Sequence, residues 1–351
     1  MDRHQKETVP FTAGDGRECT LVHVTGQVSP TRGPVVLVHG AGVRSKVFQA
    51  PVERTLVDVL IDDGFDVWLE NWRASIDFPP NEWTLDQAAV FDHPQAIKTI
   101  VDRTGSETVQ AVIHCQGSTS FMMSAVAGLL PEVTTIVSNA VSLHPVVPTL
   151  ARWKIEYLLP FVRPLTHYID PEWGLKEPGE RIDAPFWEAT TAAGVVGWVR
   201  LAHRECNNTV CRMVSFTYGV GAPTLWSHEN LNDETHEWLK REFGHVPLTF
   251  FAQMARCVRA GHLVSVDARP ELPENFVAQQ PQTDARFAFF AGDRNRCFLH
   301  DSQERTFAFF DSWRPNYHTL RVLPNYGHLD VFMGQNAARD VFPLIRDELV
   351  A

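Results

Sequence analysis

The chain lacks what a membrane span, a nucleic-acid surface or a nucleotide cofactor would require. Nowhere in its 351 residues does an apolar run approach the roughly 18 residues of a transmembrane helix. Its first residues, MDRHQKETVPFTAGDGREC, are polar and show neither the apolar stretch nor the cleavage pattern of a secretory leader. Positive charge is scarce: 31 Lys and Arg stand against 42 Asp and Glu, giving a formal net charge of −11. This argues against nucleic-acid binding and against docking on an anionic membrane surface. No G-x-G-x-x-G follows an apolar strand, so no cofactor is expected. There is no internal repeat and no low-complexity run. The six cysteines are scattered. Without a leader they read as reduced thiols of a cytoplasmic protein. Cys206 and Cys211 in ECNNTVC suggest a metal pair, but no second pair or histidine cluster stands at ligand spacing, so no metal is expected.

What is present is an alternation of buried strands and helices. With 44% hydrophobic and 21% charged residues, the chain can bury an ordinary globular core. Residues 8–25 alternate weakly, as an opening hairpin would. PVVLVHG (34–40), FDVWLEN (65–71), VQAVIHC (109–115) and TTIVSNAV (134–141) are near-continuous apolar runs. ARFAFFAGD (285–293) and HTLRVLPNYGH (318–328) follow later. Such runs fit strands buried on both faces of a parallel sheet. Helical spacing fills 48–63, 85–103 (with a kink at Pro94), 302–312 and 335–349. The class is α/β, a doubly wound, mostly parallel sheet. Residues 145–280 break the rhythm. They are rich in proline and in Trp153, Trp173, Trp187, Trp198, Trp226 and Trp238, and are too long for a loop. We expect a core of 1–144 and 281–351, with 145–280 a helical lid inserted over the carboxyl ends of the strands.

Ile113-His114-Cys115-Gln116-Gly117 carries the chemistry: a strand, a sharp turn, then a helix. That is a nucleophile elbow, with Cys115 at the usual serine position and Gly117 at the second glycine of G-x-S-x-G. Ile113 replaces the first glycine, which needs small neighbours in compensation. Ser118 is the alternative nucleophile, one turn into the helix. A helix N-terminus favours the thiolate. Asp293 in AGDRN and His328 in NYGHLD follow in the order acid, histidine, each at a strand end. Asp330 and Asp301 rival Asp293. The histidine would take the thiol proton and the carboxylate would orient it. The backbone N–H groups of Gln116 and of Ala41, in His39-Gly40-Ala41-Gly42, would form the oxyanion hole. His144 is a candidate pocket residue, or else a plain loop histidine beside Pro145.

VLVHGAG, DVWLENWR, HCQGS and NYGHLD resemble the acid-lipase branch of the α/β hydrolases, with Cys115 replacing serine. ECNNTVCRMVSFTYG, HENLNDETHEWL and GHLVSVD resemble the cysteine-elbow hydrolase region found fused to or beside GMC (cholesterol-oxidase-type) oxidoreductases. This implies a flavin-dependent oxidoreductase in the same pathway as a partner. Polyhydroxyalkanoate synthases are similar in using an elbow cysteine with Asp and His. The resemblances imply an α/β-hydrolase fold and acyl transfer through a thioester on Cys115. The expected reaction is hydrolysis of an ester, thioester or lactone of a bulky apolar substrate. Transfer to an alcohol or amine is the alternative, and a non-catalytic binding protein the second.

Overall fold

The structure, a computed structural model, describes residues 4–171 and 205–351, with 173, 193, 194, 196, 197 and 199 between them. Trp187 and Trp198 of the expected lid lie outside the described residues. The opening hairpin is β1 (Gln5–Thr12) with β2 (Glu18–Thr25), paired antiparallel. Then come β3 (Pro34–Val38), β4 (Asp66–Asn71), β5 (Val109–His114) and β6 (Val133–Asn139). A two-residue pair, β7 (Tyr168–Ile169) with β8 (Val246–Pro247), stands apart. β9 (Arg286–Gly292) and β10 (Thr319–Leu323) complete the main sheet, ordered β1-β2-β4-β3-β5-β6-β9-β10. β4, β3, β5, β6, β9 and β10 pair in parallel. Every residue of β3 is buried, as its unalternating apolar run requires when both faces are covered.

From β3 the chain moves to β4 on one side and then to β5 on the other. The reversal opens a crevice at the carboxyl ends of β3 and β5, where open α/β sheets bind ligands. The residues at those two ends are His39-Gly40-Ala41 and Cys115.

Local chemistry explains where helices begin. The expected helix over 48–63 is α-helical only as α1 (Leu56–Asp62). Thr55 and Asp58 form a capping box that starts it, whereas Ser45–Gln49 is a 3-10 turn ahead of Pro51. The 85–103 stretch holds a widened π turn at Ala88–Asp92 before α2 (His93–Thr104), with Pro94 in the first turn of α2 where its missing N–H is harmless. α3 (Cys115–Val126) follows β5 directly and is buried along its whole length. Between β6 and β9 lie α4 (Thr209–Tyr218), α5 (Asp233–Trp238) and α6 (Leu248–Ala260). α7 (Asp301–Trp313) bridges β9 and β10. The expected last helix is split into Ala337–Asp340 and α8 (Phe342–Val350), with Pro343 in the first turn of α8.

The DVWLENWR segment is support. Arg73 forms a buried pair with Asp92 at 2.6 Å, and Glu70 meets His93 at 2.8 Å. The Trp72 indole donates to the His39 carbonyl at 2.9 Å, bracing the loop after β3. No helix among the described residues is long and apolar enough to cross a membrane.

Candidate active site

Cys115 stands at the junction of β5 and α3 with φ of 54°. A non-glycine residue there stores strain, which only over-determined surroundings sustain. Two glycines make the turn possible. A Cβ on Gly40 would lie 2.9 Å from Cys115 Cβ and 3.3 Å from its Sγ. A Cβ on Gly117 would lie 2.2 Å from the His39 carbonyl oxygen. Ile113, at the missing first glycine, pairs with Ser138 of β6. Ser118, Ser138 and Ser142 supply the small neighbours on that flank. Ser118 itself is spent there: its hydroxyl donates to the Val141 carbonyl at 2.6 Å and meets Ser138 Oγ at 2.7 Å.

Cys115, His114 and His328 bring sulfur and ring nitrogens within 4.8 Å of one another. His114 is buried and its Nδ1 bonds to Asn139 Oδ1 at 2.9 Å. Burial and the neighbouring His328 hold its pKa well below the ordinary histidine range, so it is neutral. Burial pushes the Cys115 thiol up. The Cys297 thiol, the His328 ring and the Gln116 N–H outweigh it and bring the Cys115 pKa below the ordinary thiol value. Burial and the proximity of Cys115 push Cys297 the other way, so its S–H is the donor. The Gln116 N–H belongs to the first turn of α3, where helix N–H groups have no intrahelical acceptor.

The third partner differs from the sequence expectation. Asp293 is exposed, and its carboxylate accepts from the Asn325 N–H at 2.8 Å. The side chain that meets His328 Nδ1 is Asn295, at 3.1 Å. The reason is a turn. The Asn295 N–H closes back on the Gly292 carbonyl at 3.2 Å, which sends Asp293 outward and brings Asn295 inward. Asn295 Oδ1 already accepts the N–H groups of Cys297 and Phe298 at 2.9 and 3.2 Å. The amide nitrogen therefore faces the imidazole and donates to Nδ1, leaving the ring proton on Nε2. Asp330 is buried and accepts from Gly327 N–H and Asn230, holding the turn before His328. Asp301 opens α7.

Gly40, Ala41, Cys115 and His328 line one small cavity together with Val214 and Tyr218 of α4. Gln116, Cys297 and Phe298 line a second small cavity, walled by Val147, Ile155, Phe250, Phe251 and Met254. His144 lines neither. Its backbone N–H and Nδ1 both engage Thr306 Oγ1, at 3.2 and 3.1 Å. Burial lowers its pKa to about 4, so it is a packed neutral residue. Sequence reasoning missed Asn295, Cys297 and Tyr218. Only Asn295 had a signal, a polar residue three positions after Gly292.

No family model matches the sequence. The chain is 29% identical to sterol esterase 2 of Saccharomyces cerevisiae over 109 residues, covering 28% of this chain and 20% of that protein. It is 30% identical to human lipase member K over 145 residues, covering 38% of this chain and 34% of the lipase. The aligned region is thus about a fifth to a third of these curated relatives. Among solved structures, it matches a malate-bound thermophilic esterase of Thermogutta terrifontis with a TM-score of 0.53 at 14% identity, covering 99% of this chain and 98% of that one. It matches an esterase of Pyrococcus furiosus with a TM-score of 0.53 at 11% identity, covering 99% and 91%. The fold is the α/β-hydrolase fold. In an α/β hydrolase the turn after the central strand carries the nucleophile, and here that turn holds Cys115.

Proposed function

We propose that the chain is an acyl-transfer enzyme of the esterase or thioesterase kind, with Cys115 as nucleophile, His328 as its proton partner and Asn295 orienting the ring. The observation that carries this reading is Cys115 itself. It is a strained residue at the strand–helix turn, its sulfur beside His328 and the Gln116 N–H, at the wall of an apolar cavity. The Cys115 thiolate attacks the acyl carbonyl carbon. The oxyanion is received by the N–H groups of Ala41 and Gln116. A carbon–sulfur bond forms, the bond to the leaving group breaks, and the acyl chain lies along Ile155, Phe250, Phe251 and Met254.

Asn295 supports an activated donor. A neutral amide stabilises an imidazolium less than a carboxylate does, and its N–H₂ opposes a proton on Nδ1. A thiolate leaving group needs no proton, so an acyl thioester suits the site better than an alkyl ester. In deacylation His328 must carry its proton on Nδ1 to act as base toward water or an alcohol. Asn295 disfavours that form, so the acyl-enzyme should accumulate. Transfer to an alcohol or amine is the second reading, favoured by the burial of Cys115 away from water. Sterol esterase and lipase relatives support an apolar ester or thioester as substrate. A flavin-dependent oxidoreductase partner rests on the sequence resemblance alone.

The test is intact-protein mass spectrometry after mixing with acyl thioesters and activated esters. An acyl adduct with the wild type and none with Cys115→Ala supports the reading. Turnover that persists in Cys115→Ala refutes it.

A further inference from the structure

A second group of nucleophilic side chains lies outside the active site, in the segment between β6 and β9. Cys206, Cys211, His228 and His236 each place one ligand atom within 4.8 Å of all the others. Cys211 Sγ lies 3.5 Å from His228 Nε2. Zinc–sulfur bonds of about 2.3 Å and zinc–nitrogen bonds of about 2.0 Å put tetrahedral ligand pairs roughly 3.4–3.8 Å apart. The His236 Nε2 atom is buried with no hydrogen-bond partner among the described residues. A buried polar atom in that condition calls for a ligand.

The surroundings are already arranged. Asn208 caps α4 by accepting the Cys211 N–H at 3.1 Å, and its amide donates to the His236 carbonyl at 2.8 Å. His228 Nδ1 rests on Thr224 Oγ1 at 3.3 Å, which fixes the ring and turns Nε2 toward the sulfur. The His228 and His236 rings meet edge to face, with centroids 5.0 Å apart. Cys206 Sγ faces Cys211 and His228 and lies 3.6 Å from the Asn208 carbonyl.

We propose that Cys206, Cys211, His228 and His236 form a structural zinc site that ties the start of α4 to the turn and helix after it. Two thiolates and two imidazoles in a tetrahedral array favour zinc among the available metals. Four protein ligands leave no open position, which marks a structural rather than a catalytic centre. Binding displaces the two thiol protons, and the ion links the three pieces of chain that hold Val214 and Tyr218 over Cys115.

Metal content and cobalt spectroscopy of the full chain test the site. Protein produced with added Zn²⁺ should hold one zinc per chain. Replacement by Co²⁺ should give the intense visible bands of tetrahedral cobalt and a thiolate-to-cobalt charge-transfer band. Chelation should lower the thermal midpoint by several degrees, and Zn²⁺ should restore it. Cys206→Ser should lose about half of the charge-transfer intensity, and His236→Gln should lose the metal. Cys115→Ala should keep its zinc, and loss there would overturn the proposal by putting the ion at the active site. Absence of bound zinc, or a Cys206–Cys211 disulfide in protein purified under reducing conditions, would overturn it as well. Should Cys206→Ser fail to fold, the cobalt spectrum of Cys115→Ala decides, because in that variant the pair Cys115 and Cys297 is broken and a two-thiolate band points to Cys206 and Cys211.

Discussion

Asn295→Asp tests whether the amide sets the chemistry of this site. Aspartate keeps an acceptor for the N–H groups of Cys297 and Phe298, so the turn that aims the side chain survives. Its other oxygen replaces a donor facing His328 Nδ1 with an acceptor. The ring proton then moves to Nδ1 and frees Nε2 as a base. A neutral hydrogen bond contributes about 0.5–1.5 kcal/mol and a charge-assisted one about 1.5–3 kcal/mol. The gain for the imidazolium is therefore about 1–1.5 kcal/mol, or roughly 5- to 10-fold in rate for a step that needs the proton. Leaving groups that need protonation should benefit, and thiolate leaving groups should not. The assay is kcat/KM for an alkyl ester and a thioester of one acyl chain, wild type against variant. The ester-to-thioester ratio should rise by about 5- to 10-fold. An unchanged ratio, or equal loss on both substrates, would refute the argument, because the amide would then be no more than a packing residue.

Cys115 has a pKa below the ordinary thiol value, which predicts a thiolate at neutral pH. Its alkylation rate should stay level through neutrality and fall only on the acid side. Cys257, pushed up to about 12 by burial, should stay unreactive, and a Cys115 rate that climbs steadily through pH 8 would contradict this. Gly40→Ala, which sets a methyl 3.3 Å from the sulfur, should cut kcat/KM by about 100-fold or more while costing only about 1–3 kcal/mol of stability by urea titration. Arg73→Met leaves Asp92 charged and buried, and should cost about 3–5 kcal/mol in the same titration, far above a surface pair.

The sheet was legible because burial on both faces writes itself as unbroken apolar runs, as in Val35 through Val38. The elbow was legible because a strand, a small turn and a helix in sequence leave few other readings for Cys115. The acid position was not. Counting from the strand end finds Asp293, a carboxylate of the right type, but the turn after Gly292 points it at solvent. Which side chain a turn carries inward depends on backbone geometry that composition does not encode. The Cys206 cluster was hidden for another reason: His228 and His236 are distant in sequence, and only the packing of α4 against the chain after it brings them to the two sulfurs. His144 carried two readings because a strand-end histidine looks the same whether it faces a pocket or Thr306.

The segment between β6 and β9 meets the site through three hydrogen bonds: the Leu225 carbonyl accepts the His328 N–H at 2.8 Å, the Gly244 N–H donates to the Gly42 carbonyl at 3.1 Å, and Tyr218 makes the third. Tyr218, at the end of α4, donates its hydroxyl to the Ala41 carbonyl at 3.0 Å. Burial raises the phenol pKa well above the ordinary value, so the donor keeps its proton at any working pH. Gly42 makes the approach possible, since a Cβ there would lie 2.3 Å from that hydroxyl. The loop proposed to offer Ala41 N–H to an oxyanion is thus held by Tyr218 and Gly244 on one side and by Trp72 on the other. Tyr218→Phe removes one of these supports without emptying the site. A hydrogen bond of about 0.5–1.5 kcal/mol predicts a loss of roughly 2- to 10-fold in acylation rate, read from burst kinetics with a thioester. KM should move little, because the phenyl ring still walls the cavity. A fall in thermal midpoint with acylation unchanged would show that Tyr218 braces the segment alone, and that the oxyanion loop stands without it.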